Sequence, residues 1–373
     1  MTRAVTDWFD LLAEVPREPF LPDIVWTDGS GRTFVPVSRA SDPQLWAKLT
    51  RGDQPVITQV DDGYAARHGV TPTSSASMPS VVAGMLDALD VQCGDNVLEI
   101  GTGTGWNAAL LAHRAGERGR VISVEIDPAV ADNARRALRA EEADVEVITA
   151  NGEYGYPPAA PYDRVIATAS ARHIPHSWVA QTRVGGIVVA PWGTDYCSAL
   201  ARLQVTSAGH AVGSFSAGYA FMRLRSQRRS LTHADGGALD MSSADHSLTE
   251  LDASDLYRMV AASKAAFTIG LLVPQCRMHY EEDARGHNQH IVELHDSTSR
   301  SWAQVDVDLD HGTPFDVYQQ GPRRLWDEAV AGYRWWQQHC TPDPSQFGIT
   351  IAEDEQAIWL NSQDGEYRWT LAP

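Results

Sequence analysis

Lysine is almost missing from this chain of 373 residues: Lys48 and Lys264 are the only two, and arginine supplies the rest of the 30 basic groups. That choice fits a G+C-rich genome and points to no function. Basic charge is also short overall, since 48 acidic groups give a formal net charge of −18. Such a surface repels phosphate backbones and anionic lipid, so neither nucleic acid nor a membrane is expected as a partner. Cysteine is sparse as well. Cys93, Cys197, Cys276 and Cys340 are scattered without paired or metal-like spacing, which excludes a disulfide framework and fits a reducing cytoplasm. No apolar run approaches the ~20 residues that span a bilayer. The first residues, MTRAVTDWFDLLAEVP, lack the apolar core of a signal peptide, so a cytoplasmic location is expected.

What is present is ordinary globular material, 43% hydrophobic and 21% charged. At ~150 residues per domain the length suggests two domains. The charge divides unevenly: residues 1–240 carry 27 acidic and 21 basic groups, residues 241–373 carry 21 and 9. The final third is thus a different kind of surface.

Residues 1–70 are rich in Trp, Pro and turn formers, with one helical stretch around 7–15. From Val81 the pattern becomes rhythmic. Helices are expected over 81–89, 106–115 and 128–140, and strands over 96–100, 120–126, 145–149, 164–169 and 187–190. This alternation implies an α/β fold, a parallel sheet with helices on both faces. Later strands, antiparallel to it, are expected at 198–205 and 220–224. The stretch 226–247 is polar and reads as a linker. Beyond it, helices at 251–267 and 322–339 and short strands at 291–294, 303–307, 349–351 and 357–360 describe an α+β domain.

The segment VLEIGTGTGW (Val97–Trp106) sets Gly101, Gly103 and Gly105 between an apolar strand and a helix. A tight turn with positive φ, and close approach of backbone to a ligand, both require glycine there. Twenty residues after Gly105 a second strand ends at Glu125, placed to accept both hydroxyls of a ribose. A dinucleotide fold wants G-x-G-x-x-G and a helix N-terminus for pyrophosphate. Here Glu99 precedes the loop and would repel pyrophosphate while suiting an ammonium. S-adenosylmethionine carries that group, so the loop favours a methyltransferase over a dehydrogenase.

These residues resemble the protein L-isoaspartyl O-methyltransferases over roughly 15–225. VPREPFLP (Val15–Pro22) looks like that family's N-terminal signature, and Ser75-Ala76-Ser77-Met78-Pro79 like its Thr-x-Ser-x-Pro substrate loop. NGEYGYPPAAPYD (Asn151–Asp163) and ATASARHIP (Ala167–Pro175) resemble two further segments in the family's order. The resemblance implies a Rossmann-like class I S-adenosylmethionine-dependent methyltransferase with an additional C-terminal α+β domain. Its parts would be 1–80, the N-terminal segment and substrate loop; 81–225, the catalytic domain; 226–247, the linker; and 248–373, a peptide-recognition domain. By position Glu99, Gly101, Thr102, Gly103 and Gly105 would line the cofactor's methionine end, and Glu125 with Ile126 its ribose. Asn151 and Gly152 would meet the adenine, with Asn151 replacing a family Asp: it keeps a carbonyl acceptor and loses the charge. Ser77 matches the active-site serine, and Ser75 replaces a threonine while keeping a hydroxyl. His173, in the loop after the 164–169 strand, faces the acceptor side of this topology.

GPRRLWDEAVAGYRWW (Gly321–Trp336), with FGITI and AIWL, resembles the extension on homologues encoded beside ribosomally made peptides such as graspetides, lasso peptides and lanthipeptides. The resemblance implies methylation of an aspartate in a modified peptide, the ester then closing to aspartimide. Repair of isoaspartate in aged proteins is the alternative, and a non-enzymatic peptide-binding module a third reading. The bland readings are that Ser75 and Ser77 are loop or capping residues and that His173 is a surface histidine. His279, His287, His290 and His295 near Glu281–Asp283 fit no zinc spacing, so no metal is expected. Trp326, Trp335 and Trp336 on one helix are expected to pack in a core. A guide for an anionic substrate could lie around 223–229 or 323–324. The sequence leaves the oligomeric state open.

Overall fold

The structure, a computed structural model, describes residues 8–31, 33–228, 239, 241–260, 264–296 and 298–371. Helix α1 (Trp8–Glu14) leads into a small antiparallel sheet of β1 (Ile24–Asp28), β2 (Phe34–Ser38), β3 (Val56–Val60) and β4 (Pro72–Ala76), in the order β2-β1-β3-β4. Helix α2 (Pro43–Thr50) packs on it through Trp46, against buried Leu21, Val25, Val37, Val56 and Ala76. Apart from its one helix, this region carried no strand expectation. Its strands are five residues each and are broken by Pro, Gly and Asp turns, too short for a period-2 pattern to stand out.

Helix α3 (Pro79–Leu89) begins at a proline, whose missing N–H costs nothing in a first turn. Then follow β5 (Asn96–Ile100), α4 (Trp106–Ala115), β6 (Arg120–Glu125), α5 (Pro128–Ala140), β7 (Glu146–Thr149), β8 (Tyr162–Ala167), α6 (His176–Ala180) and β9 (Thr182–Gly193). Strands β7, β6, β5, β8 and β9 lie side by side and parallel. Val97, Leu98 and Ile100 of β5 are all buried, as a parallel strand covered on both faces must be. The expected alternation holds here, except that α6 was not expected and β9 is longer than the expected 187–190.

The sheet continues antiparallel through β10 (Ser198–Ser207) and β11 (His210–Ala217). The strand expected over 220–224 is not one. Ser170 N–H donates to Met222 O (2.8 Å) and Leu224 N–H to Ser170 O (2.9 Å), so this segment is an irregular strap tied across the sheet's end. Of the expected linker, 229–238 and 240 lie outside the described residues. Its far end is β12 (Asp245–Thr249), since the polar residues there pair with a partner strand distant in sequence.

Residues 261–263 lie outside the described residues, and where a helix was expected over 251–267 the structure describes α7 (Ala253–Val260) and α8 (Lys264–Leu272). With β13 (Cys276–Glu281), β14 (Gln289–Asp296), β15 (Ser301–Asp308), β16 (Phe315–Gln320) and α9 (Leu325–Gln338) they form a module around a second antiparallel sheet, β12-β16-β15-β14-β13. Trp326 and Trp336 are in its core with Leu256, Ile269 and Tyr333. Trp335 points elsewhere, stacked on His339 at 3.8 Å and edge-on to Tyr367 and Trp369. Among the described residues no helix is long and apolar enough to cross a membrane.

The last strands, β17 (Phe347–Ile351), β18 (Gln356–Leu360) and β19 (Arg368–Thr370), leave the module and extend the central sheet through β11 to ten strands. Trp192 of β9, Phe215 of β11, Phe267 of α8 and Phe347 of β17 form one aromatic stack, with ring centroids 5.2 Å apart for Trp192–Phe215 and Phe215–Phe267 and 4.9 Å for Phe267–Phe347. Aromatic pairs at such spacings add to their large burial. Module and catalytic sheet therefore share a core. Phe347→Ala should cost about 3–5 kcal/mol and should lower the unfolding midpoint of the whole chain in urea as one transition. A separate early transition of the module, with the rest unshifted, would contradict the shared core.

Candidate active site

After β5 the chain runs to β6 and β7 on one side of the sheet, then returns to β8 and β9 on the other. At such a reversal the connecting loops diverge and leave a crevice beyond the strands' C-terminal ends. A cavity of about 680 Å³ lies there. Of the residues expected from sequence, Gly101, Thr102, Gly103, Glu125, Ile126, Asn151 and Gly152 line it, and so do Ser75 and Ser77. Two segments that sequence reasoning took as separate ends of one site thus face a single space.

The glycine turn explains its own composition. Gly101 has φ +94°, and a Cβ there would sit 2.8 Å from Thr168 Oγ1. Gly105, with φ +91°, caps α4, and a Cβ would press on Ala134 and Leu138 of α5 at 3.2–3.4 Å. Gly105 therefore lies beneath the cavity rather than on its wall, where it lets two helices close up.

Glu99 is also beneath the loop and is not among the cavity's lining residues. It is fully buried; Asn107 Nδ2 of α4 donates to its Oε1 at 2.7 Å and Ser123 Oγ of β6 donates to its Oε2. Since the Ser123 proton goes to Glu99, Thr102 donates to Ser123 (2.6 Å). Burial raises the Glu99 pKa to about 7 against these donors. Glu125 does reach the cavity. Its Oε2 accepts from Gly103 N–H and its Oε1 from Asp127 N–H, both 3.0 Å, which ties the loop to the tip of β6. Each carboxylate oxygen keeps a lone pair for a further donor. Burial raises the Glu125 pKa too. Asn151 caps a short 3₁₀ turn by accepting from Glu153 N–H (3.0 Å), so part of its acceptor capacity is already used.

Further wall comes from the end of β4, where Ser75 O would lie 3.5 Å from a Cβ on Gly103, and from the strap after β11. Arg17, in the VPREPFLP segment, is buried and donates from Nη1 to Ser77 O (2.9 Å) and Gln54 O (2.7 Å) and from Nη2 to Thr50 O (2.9 Å). That segment's task is to hold the serine loop. On the strap, Arg225 pairs with both Asp62 and Asp127 at 3.1 Å, and Arg228 with Asp62 at 2.8 Å. Gln59 donates to Asp127 (3.1 Å) and accepts from Thr73 (2.9 Å). Burial works against the Asp127 charge, but these donors and two helix N–H groups outweigh it and hold its pKa below the usual carboxylate value. The cations of the strap are thus matched by carboxylates, and so are Arg323 and Arg324, paired with Asp296, Glu328 and Asp245.

His173 is not brought to the cavity. Its backbone N–H donates to Gln227 Oε1 (3.2 Å), its carbonyl accepts from Gln227 Nε2 (2.8 Å), and burial lowers its pKa. Sequence reasoning missed Asp127, named Thr168 only within the 167–175 segment, and took Arg225 only as part of a basic guide over 223–229. Asp127 had left a signal, as an acid directly before Pro128 that caps α5 through Ala129 and Val130 N–H. Among the described residues, no three of His, Cys, Asp or Glu are grouped as metal ligands.

Comparison with known proteins agrees with this geometry. The family model described as protein-L-isoaspartate(D-aspartate) O-methyltransferase matches residues 64–229. Protein-L-isoaspartate O-methyltransferase 1 of Rhodopseudomonas palustris is 42% identical over 209 residues, 55% of this chain and 71% of that protein. The chain belongs to the protein-L-isoaspartate O-methyltransferase family. The Ignicoccus hospitalis relative is 45% identical over 116 residues, and the match spans 31% of this chain and 55% of that relative. With the Methanoculleus marisnigri relative the match is 45% identity over 128 residues and 57% of its length, so the chain spans little more than half of these archaeal relatives. A solved structure of a protein-L-isoaspartate O-methyltransferase shares the fold over 96% of both chains, with a TM-score of 0.52 and 19% identity. That fold is Rossmann-like and of the class I methyltransferase type, with an additional sheet module at the C-terminal end.

The Glu99 carboxyl has a measurable consequence. Its pKa rises from 4.5 to about 7 on folding, so between those values the folded state holds more protons. Stability from this group is complete below pH 4.5 and falls as pH rises toward 7, by up to about 1.4 kcal/mol per pH unit. Glu99→Gln should remove that slope. Urea unfolding of both proteins from pH 5 to 8 checks it, and equal slopes would refute the assignment.

Proposed function

We propose that the cavity binds S-adenosylmethionine at its glycine-loop end and a polypeptide aspartyl or isoaspartyl carboxylate at its serine end, and that the protein is a carboxyl O-methyltransferase. The observation that carries this reading is the placement of Glu125, the Gly101–Gly103 turn, Ser75 and Ser77 around one space. The residues present fit the cofactor. Glu125 has lone pairs left for a ribose diol, the turn leaves no Cβ in the way, and the side chain of Ile126 is open to cover one face of a base. Bound there, S-adenosylmethionine supplies a methyl group on a sulfonium centre.

The protein then has little chemistry to perform. A carboxylate of pKa ~3.9 is already ionised at neutral pH, so no general base is needed. Its oxygen forms the new bond as the carbon–sulfur bond breaks, and an anion and a cation become two neutral groups. Desolvation and alignment supply the rate. Ser77, held by Arg17 through its own carbonyl, and Ser75 donate hydrogen bonds that aim the acceptor oxygen. The strap of 218–228 covers the site against water, fastened through Arg225 to Asp62 and Asp127.

The finer reading is methylation of an aspartate in a ribosomally made, modified peptide, after which the next backbone amide attacks the ester, expels methanol and closes aspartimide. What supports it is the resemblance of 321–336, FGITI and AIWL to the extension on peptide-modifying homologues. The module by itself does not favour it over repair, because a solved protein-L-isoaspartate O-methyltransferase shares the fold over 96% of both chains. Repair of isoaspartate remains the competing reading. Incubation with S-adenosylmethionine and either an isoaspartyl peptide or a constrained aspartyl peptide separates them by mass. Gain of a methyl followed by net loss of water on the constrained peptide alone is expected, and equal turnover of generic isoaspartyl peptides would sink the finer reading. On whichever peptide reacts, Ser77→Ala should lower kcat/KM about 10- to 100-fold, the range for losing a hydrogen bond to a charged group. Its cofactor affinity should stay within about twofold.

A further inference from the structure

A second cavity, of about 330 Å³, lies between the β9–β10 turn, the strap and the C-terminal module. It borders the first. Gly218, Ala220, Phe221 and Arg223 of the strap line both, so the strap is a shared wall with the cofactor and serine loop on one side and the module on the other. We infer that this crevice receives the substrate residue next to the acceptor aspartate, as an uncharged apolar side chain, and that the C-terminal module thereby sets substrate specificity. The inference rests on the methyltransferase reading above and deepens it.

Three observations support it. The first is continuity. Cofactor and acceptor side chain fill the larger cavity, so the chain carrying the acceptor must leave it, and successive Cα atoms are only ~3.8 Å apart. The crevice across the strap is adjoining space, and Gly218 and Ala220, which line both cavities, put little side-chain bulk between them. The second is the chemistry of the walls. Phe221 and Met278 present apolar surface, backed by the buried Phe267, Val260 and Ala266, and all of these but Phe221 belong to the module. The third is charge. Asp195 also lines the crevice but pairs with Arg172, and Arg223 donates to Gly193 O (2.7 Å) and Thr194 O (2.8 Å) and lies 4.0 Å from Asp195. These internal pairings suit a neutral guest. The net negative charge of residues 241–373 disfavours an acidic one.

Met278 is the residue to change. It is half-buried at the module's face of the crevice, outside the catalytic and cofactor-binding residues. Peptides that present the acceptor flanked by leucine or by glycine would be compared on the full-length protein and on Met278→Asp and Met278→Trp. The first variant adds charge and the second fills volume, so agreement between them does not depend on either one folding perfectly. The expected result is a wild-type kcat/KM at least tenfold higher for the leucine-flanked peptide. That preference should fall to about one in both variants, with the glycine-flanked rate and S-adenosylhomocysteine affinity unchanged. An unchanged preference overturns the inference. Calorimetric binding of the leucine-flanked peptide reads the crevice apart from turnover: at least tenfold weaker binding to the variants is expected, and equal binding overturns it. Absence of methyl transfer to every peptide by the wild type, with that binding difference intact, would overturn the catalytic reading and leave the crevice assignment standing.

Discussion

A buried carboxylate organises the cofactor end of this protein. Glu99 has no access to water, so it must take its hydrogen bonds from the protein, and it takes them from α4 through Asn107 and from β6 through Ser123. Thr102, in the glycine turn itself, completes the chain by donating to Ser123. An unpaired polar group in such a place would be costly, which gives the arrangement its rigidity. The turn is thereby held at one height above the strands, and Glu125 on the neighbouring strand can reach Gly103 N–H. The positive φ of Gly101 and the close helix packing at Gly105 both follow from holding the turn there. The carboxylate expected to face the ligand instead fixes the loop that does.

The acceptor end is organised differently, by long-range clamps. Arg17 is 60 residues from Ser77 and holds its carbonyl, and Trp106 Nε1, in the helix after the glycine turn, donates to Val15 O beside it (2.8 Å). One short N-terminal segment therefore ties the serine loop to the cofactor loop. On the far side, Arg225 joins the N-terminal sheet at Asp62 to the tip of β6 at Asp127. The strap bearing Arg225 is the same wall that borders the module. Cofactor loop, acceptor loop and module are mechanically adjacent although far apart in the chain.

Much of the central fold was legible because its signals are local. Buried parallel strands read as apolar runs, helices α4 and α5 carry complete apolar faces with clear ends, and the glycine turn is contiguous. The parts that escaped were those whose pattern depends on partners. The four five-residue strands between 24 and 76 have too few residues to show alternation. The segment 220–224 is apolar enough for a strand, yet it pairs with Ser170 at a single bridge and then passes over the site. Strand β12 is polar and exists only because β16 offers it a hydrogen-bonding edge.

The sequence alone determined the class of fold, the glycine turn with Glu125 at the next strand's tip, and the choice of Ser75 and Ser77, which line the same cavity. The first two depend on residues within one turn or one βαβ unit, where chain geometry leaves few alternatives, and the serines were legible through a contiguous motif although distant clamps hold them. Tertiary structure decided the rest: that Glu99 supports the turn from below, that His173 lies away from the cavity, and that 347–371 complete the catalytic sheet rather than the module. Those outcomes depend on which buried groups must share hydrogen bonds and which aromatic surfaces must share a core. Such requirements arise only when distant segments are packed together.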